Sequence, residues 1–357
     1  MIDPNQPPQQ PQQPGDSITI EKFVGLKNTV TRERLKPTEQ EIARNVDIDD
    51  ADQVHRRRGY TLASAGNYHS LYSTGSSPVY GVKNGTLGII YANYTFEALL
   101  PGVGDEYLSY VQIADDLYFS SASASGVINT RSHIVSQWGA EVSAGQWLSP
   151  VVNPTETLGP VRGKILGKPP MATALTYWNG RIYMANKKTV WATELYLYNF
   201  VDKTKNYLQF EDPVTLLAAV TDGFYVGTEQ AVYFMSGSFK ELKRIPVMGY
   251  GAIPRSAVVV PAELVKPQLQ QDQHSPAKNA VMFMTNSGLV AGFDSGLIYN
   301  LTQADVLFPD AVSVAPLFRR QDGVNQYIGV ADNAGTPSAN TRIGDYVDAE
   351  IRRFQGA

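Results

Sequence analysis

The chain of 357 residues contains no cysteine. That absence removes disulfides, thiolate-bound zinc and thiol catalysis together. Charge is also scarce. Asp, Glu, Lys and Arg make up 18% of the residues, where a soluble domain carries about a quarter. The formal net charge of −4 has the wrong sign for a protein whose main task is to grip phosphates. No run approaches the roughly eighteen apolar residues of a membrane span. The opening Met1-Ile2-Asp3-Pro4 lacks a basic stretch followed by an apolar one. Both features lead to the expectation of a soluble protein made in a cytoplasm. Helix signals are equally thin: no link between apolar segments holds a ten-residue amphipathic pattern, and 30 glycines and 22 prolines punctuate the chain.

What is present is β-structure. The 20 tyrosines and 13 phenylalanines suit pleated, half-buried surfaces. Trp178-Asn179-Gly180-Arg181-Ile182-Tyr183 reads as a tight hairpin, because Asn-Gly accepts the positive φ angles of the turn that matches strand twist. Similar apolar strand, polar turn, apolar strand patterns return at Asp115-Asp116, Asp222-Gly223 and Ser287-Gly288. Taking Gly75, Asp116, Gly180, Gly223, Gly288 and Gly323 as turn centres gives intervals of 41, 64, 43, 65 and 35 residues. About forty residues is the length of a four-stranded propeller blade. The pattern therefore predicts an all-β fold, a six-bladed β-propeller. The two long intervals locate inserted loops at about 137–170 and 255–279, both rich in Pro and polar residues and both candidate contact surfaces.

The blades occupy 61–357. Before them, residues 1–16 form a Pro/Gln-rich tail with nothing apolar to bury, expected to be disordered or to dock on a neighbour as an arm. Residues 17–60 form a separate opening segment. Ser17 to Phe23 alternates like a strand, and Thr38-Glu39-Gln40-Glu41 reads as a capping box opening a short helix through Arg44. Asn45 to Ile48 and Gln53 to Tyr60 then read as a hairpin. Its return strand places Arg56 and Arg58 on one face and His55 and Arg57 on the other.

Catalytic and metal motifs are missing. The histidines at 55, 69, 133 and 274 show no metal-binding spacing. The run Asp47-Ile48-Asp49-Asp50-Ala51-Asp52 starts like a calcium loop but puts Asp52 where the bend needs glycine and Arg58 where a bidentate glutamate belongs. There is no G-x-S-x-G elbow, phosphate-binding glycine loop or dinucleotide fingerprint. The Ser-x-Asp-x-Gly-x-Thr-Trp turn of sialidases is absent as well. No catalytic, metal or cofactor residue is assigned, and a non-enzymatic role is expected. The one basic cluster, Arg56-Arg57-Arg58, suits either a partner's carboxylates or a solvated strand edge.

The residues Phe23-Val24-Gly25-Leu26-Lys27-Asn28-Thr29-Val30, Ala43 to Asp49 and Arg57-Arg58-Gly59-Tyr60 resemble the opening of tail structural proteins of short-tailed bacteriophages. In that family a G-L-x-N start, an N-V-D strand and an R-R-x-G-Y return precede a β-propeller with turns like Trp178 to Tyr183. The resemblance implies a virion protein assembled in the host cytoplasm: a homohexameric tail hub or nozzle ring below the portal and adaptor, with a tail fibre or tailspike as a further partner. DNA would pass through without specific binding. Six copies at −4 each carry −24, which suits a conduit that must not hold its cargo. Phe23, Arg56, Arg57, Arg58 and Tyr60 are the expected assembly contacts. The alternative is a carbohydrate-binding or carbohydrate-hydrolysing propeller for host-surface recognition, with Trp138, Trp147, Trp178 and Trp191 as stacking surfaces. A cellular propeller scaffold would leave the opening segment unexplained.

Overall fold

The computed structural model of the chain describes residues 25–42, 46–48, 54–56, 61–73, 75, 78–139, 166–265, 278–302, 306, 311–321, 324–332 and 349–351. Antiparallel sheets follow one another along the sequence and form a six-bladed β-propeller. Blade 1 is Tyr68–Ser73, Val79–Lys83, Thr86–Ile90 and Phe96–Pro101; blade 2 is Ser109–Ile113, Asp116–Ser120, Ser125–Asn129 and Val135–Ser136. Blade 3 is Ala174–Trp178, Arg181–Asn186, Thr189–Ala192 and Tyr207–Gln209, and blade 4 is Val214–Ala219, Gly223–Thr228, Val232–Ser236 and Lys243–Met248. Blade 5 is Val258–Pro261, Asn279–Thr285, Gly288–Gly292 and Ile298–Asn300; blade 6 has Ser313–Gln321, Val324–Asp332 and Ala349–Ile351. Among the described residues no helix is long and apolar enough to cross a membrane.

First strands of blades 2 and 3, 3 and 4, 4 and 5, and 5 and 6 touch one another, so the first strand of each blade is the inner one. The second and third strands lie between two neighbours and are apolar on both sides. Gly223–Thr228 and Gly288–Gly292 are buried along their whole length, whereas the outer Lys243–Met248 is largely exposed. Such strands read as continuous apolar runs because both faces are covered. The turns follow local chemistry. Asn179 and Gly180 have φ of +45° and +74°, and Asn84 and Gly85 in blade 1 repeat this at +50° and +73°. Asn-Gly supplies that geometry at least cost.

Five apolar cores lie between consecutive blades. Tyr80, Leu87 and Phe119 join blades 1 and 2; Tyr118, Trp138 and Met184 join 2 and 3; Tyr183 and Phe224 join 3 and 4. Tyr225 and Phe283 join 4 and 5, and Met284 and Tyr327 join 5 and 6. None of these five cores joins blade 6 to blade 1.

Three sequence expectations change. The helix expected from Thr38 to Arg44 is not formed over its described part: Glu39–Gln40 is a strand parallel to Gly25–Leu26. The Glu39 carboxylate receives the Lys36 N–H at 3.0 Å and Lys27 N–H donates to the Gln40 carbonyl at 2.7 Å. These bonds commit the backbone to a turn and a strand, and leave a 3-10 turn at Arg32–Arg34 upstream. Secondly, the turn before Gly288 joins the second and third strands of blade 5, not the first and second. The inner strand Val258–Pro261 lies inside the stretch read as an inserted loop, and a long link separates it from Asn279–Thr285. That offset explains the 65-residue interval. Thirdly, Leu166–Gly167, at the end of the other insertion, pairs with Val201–Asp202. The hairpin of the opening segment is formed, with Val46 opposite Arg56 and Ile48 opposite Val54. The strand expected at 17–23 lies outside the described residues.

Side-chain hydroxyls add polar links between blades. Tyr225 donates to the Phe293 carbonyl and also lies 3.0 Å from that of Leu297, and burial raises its phenol so that it stays protonated. On the same side Asp222 receives the Ser295 N–H at 2.9 Å, and Asp294 receives that of Thr221 at 2.8 Å. Tyr225→Phe removes the buried donor without changing shape, and should cost about 1–3 kcal/mol. Thermal denaturation would show this as a lowered Tm with unchanged far-UV circular dichroism.

Candidate functional site

The link preceding blade 5 is bonded to blades 4, 5 and 6. Ala252 N–H donates to Thr228 of blade 4 at 3.1 Å, and the Ala252 carbonyl accepts from Thr215 Oγ1 at 2.7 Å. Ile253 N–H donates to Met284 of blade 5 at 2.9 Å. Blade 6 attaches through Val314 N–H to the Pro254 carbonyl at 3.1 Å and Tyr327 Oη to the Ser256 carbonyl at 2.7 Å. Gly251 just before it has no room for a side chain, since a Cβ would stand 2.1 Å from the Glu229 carbonyl oxygen.

From this stretch Arg255 reaches across the axis. Its guanidinium lies 4.1 Å from the ring centroid of Tyr107, at the start of blade 2, which stands opposite blade 5 in a ring of six. Tyr107 also meets the imidazole of His69 on the inner strand of blade 1, with centroids 5.3 Å apart. His69 Nδ1 is 2.8 Å from Ser70 Oγ, and that oxygen accepts the Leu108 N–H at 2.8 Å. Backbone strain gathers here: Arg255 has φ of +66° and Ser70, within a bulged strand, +54°. Non-glycine residues hold such angles only where their surroundings impose them.

Burial lowers the His69 pKa, and the Arg255 charge acts in the same direction against Asp105 and the Gly104 backbone. The imidazole is therefore neutral near pH 7. His69 Nε2 is buried and makes no hydrogen bond. Among the described residues no group of three or more acidic or histidine side chains is placed to hold a metal ion.

A second surface lies at the rim, on the hairpin with the Asn-Gly turn. Leu195, Tyr196 and Leu197 are 48%, 67% and 51% exposed, side by side on a loop after the third strand of blade 3. Tyr196 N–H donates to the Gly180 carbonyl at 2.9 Å, with its own φ at +57°. Leu195 and Tyr196 cover Gly180 so closely that a Cβ there would stand 2.8 Å from each. Beneath the loop, buried Glu194 accepts from Asn206 Nδ2 at 2.9 Å, and Trp138 Nε1 donates to the Tyr198 carbonyl at 2.9 Å. Three consecutive large side chains are thus half-exposed on a fixed base.

Of the expected assembly contacts, Arg56 is exposed on its hairpin strand, while Phe23, Arg57, Arg58 and Tyr60 lie outside the described residues. The expected stacking tryptophans divide differently. Trp138 is fully buried between blades 2 and 3, and Trp178 packs on Tyr183 and Phe224 with its Nε1 donating to the Thr221 carbonyl at 3.4 Å. Trp191 packs on Tyr207, and Trp147 lies outside the described residues. The Trp138 ring is unavailable to a sugar because it fills a core.

Nothing local announces the axial cluster in sequence, because its members come from three blades. Pro254-Arg255 belongs to a stretch that composition alone assigns to a loop. Asn206→Asp would set a second carboxylate against buried Glu194, costing about 2 kcal/mol or more near neutral pH. Chemical denaturation should show the loss, and it should shrink as pH falls and one of the two carboxyls takes up a proton.

No protein family matches the chain, and no curated protein matches it. Solved structures similar to it include an auxiliary nutrient binding protein from Bacteroides thetaiotaomicron, at 9% identity and a TM-score of 0.45, covering 74% of this chain and 66% of that one. The extracellular domain of the one component system BT4673 from the same organism matches at 10% identity and a TM-score of 0.46, over 78% of this chain. This chain spans 33% of that domain's length. The Neurospora crassa Pan2 WD40 domain matches at 12% identity and a TM-score of 0.40, over 72% and 70% of the two chains. Likenesses this distant carry no argument about function.

Proposed function

We propose that this chain is a non-enzymatic structural propeller of a short-tailed phage tail. It joins copies of itself in a ring, sixfold as in the family it resembles, that extends the DNA-ejection channel below the portal and adaptor. The phage setting rests on the resemblance of residues 23–60. The observation that carries an assembly role is the fixed ridge Leu195 to Leu197, three consecutive exposed large side chains. A contact repeated by rotation closes into a ring, so even a modest patch is multiplied around it.

In this reading DNA runs between the copies and not along the propeller's own axis, where Arg255 spans to Tyr107. The hairpin bearing Arg56 and the inserted loops face the adaptor or neighbouring copies, and a tail fibre or tailspike attaches to the finished ring. Negative-stain images and light scattering of the purified full chain, alone and with its adaptor, should give ring-shaped oligomers. Leu195→Asp with Leu197→Asp should yield monomers with unchanged far-UV circular dichroism. A wild-type chain that stays monomeric at high concentration and ignores the adaptor overturns the reading.

A further inference from the structure

The described cores link each blade to the next from 1 to 6 but do not link 6 back to 1. An axial stack brings the later blades to the earlier ones. Pro254 and Ser256 hold blade 6. Arg255 between them lies on Tyr107 of blade 2, and Tyr107 meets His69 of blade 1. One short stretch therefore has the late blades on its backbone and the early blades on its side chain.

We propose that this stack is an acid-sensitive latch: protonation of His69 loosens Arg255 from Tyr107 and frees the early blades from the late ones. The chemistry is local. In the neutral ring one nitrogen is satisfied by Ser70 and the other, Nε2, is buried without a partner. Protonation makes both nitrogens donors, so Ser70 Oγ can no longer donate to Nδ1 and the ring turns to the acceptors of the loop at Gly104 and Asp105. It also puts a second cation against the ring that already carries Arg255, and like charges repel at such range.

The charges acting on the imidazole are Arg255 and Asp105. The groups that favour its protonation, the Asp105 carboxylate and the Gly104 backbone, sit on an exposed loop leading into blade 2, with exposed Glu106 next along. Acid therefore draws that loop towards His69 and away from the geometry in which Tyr107 receives Arg255. The same residues hold the Leu108 N–H on Ser70 Oγ, so that amide reports directly on the latch.

The sign follows from linkage. The folded state holds His69 below its ordinary pKa, so its contribution to stability is complete above about pH 6.5 and is lost as pH falls towards the folded value. The latch does not depend on the ring reading, since it lies within one copy.

The test is nuclear magnetic resonance on the full chain, following the histidine ring signals with pH and assigning His69 through His69→Gln. Asp105→Asn should move the His69 midpoint down and Arg255→Gln should move it up. Hydrogen exchange of the Leu108 amide, corrected for the intrinsic pH dependence, should speed up by about tenfold between pH 7.5 and 5.5 in the wild type. It should stay flat in His69→Gln, while the Tyr225 amide in blade 4 keeps its protection. Equal Leu108 profiles in wild type and His69→Gln, or midpoints indifferent to Asp105→Asn and Arg255→Gln, overturn the proposal. If His69→Gln fails to fold, Asp105→Asn decides alone: the exposed substitution must shift the onset of Leu108 exchange to lower pH.

Discussion

Everything in this fold depends on sheets packing face to face. A blade whose two middle strands are apolar on both sides cannot stand alone; it needs a neighbour against each face. Tyr183 against Phe224, with centroids 4.3 Å apart, and Tyr225 near Phe283 show how large rings fill the wedge between diverging sheets. Burying such a side chain contributes about 1.5–3 kcal/mol. The cores come from short-range repetition, so each is specified by two adjacent blades and by nothing further away.

That same requirement makes the ends of the array special. Where apolar packing between consecutive blades stops, the described contacts across the axis are of another kind: main-chain hydrogen bonds at residues 252–256, a guanidinium over a phenol ring and a buried imidazole. These interactions are directional and dependent on charge, whereas the cores are neither. The propeller thus combines rigid wedges with a polar junction at the axis, where Ser70 and Arg255 are held at positive φ. At the rim the hairpin of blade 3 serves a different end. Its tight turn supplies a flat glycine on which Leu195 and Tyr196 rest, and the fixed loop holds its apolar tips in solvent.

The fold was largely legible in the sequence. Missing helix signals, continuous apolar strands and tight polar turns at blade spacing are local properties, and they led to an all-β propeller. Phase was not legible within blade 5: the turn before Gly288 looks like its counterparts, but the inner strand Val258–Pro261 stands across a long link from it. The helix expected after Thr38 failed for a related reason. Glu39 inside the expected box accepts the Lys36 N–H at a turn instead, and pairing with Gly25–Leu26 took the backbone that a helix would have used.

By itself the sequence determined the repeat, the class of fold and the lack of thiol chemistry, because each of these follows from residue type and short-range spacing. Only the tertiary structure decided which aromatic rings are buried, turning Trp138 from a candidate sugar platform into core. It alone also brought His69, Tyr107 and Arg255 together, residues spread over nearly two hundred positions. Spacing along the chain fixes what a strand can do with its neighbours. Closure of a ring brings distant strands to one axis, and no local pattern encodes which side chains will meet there.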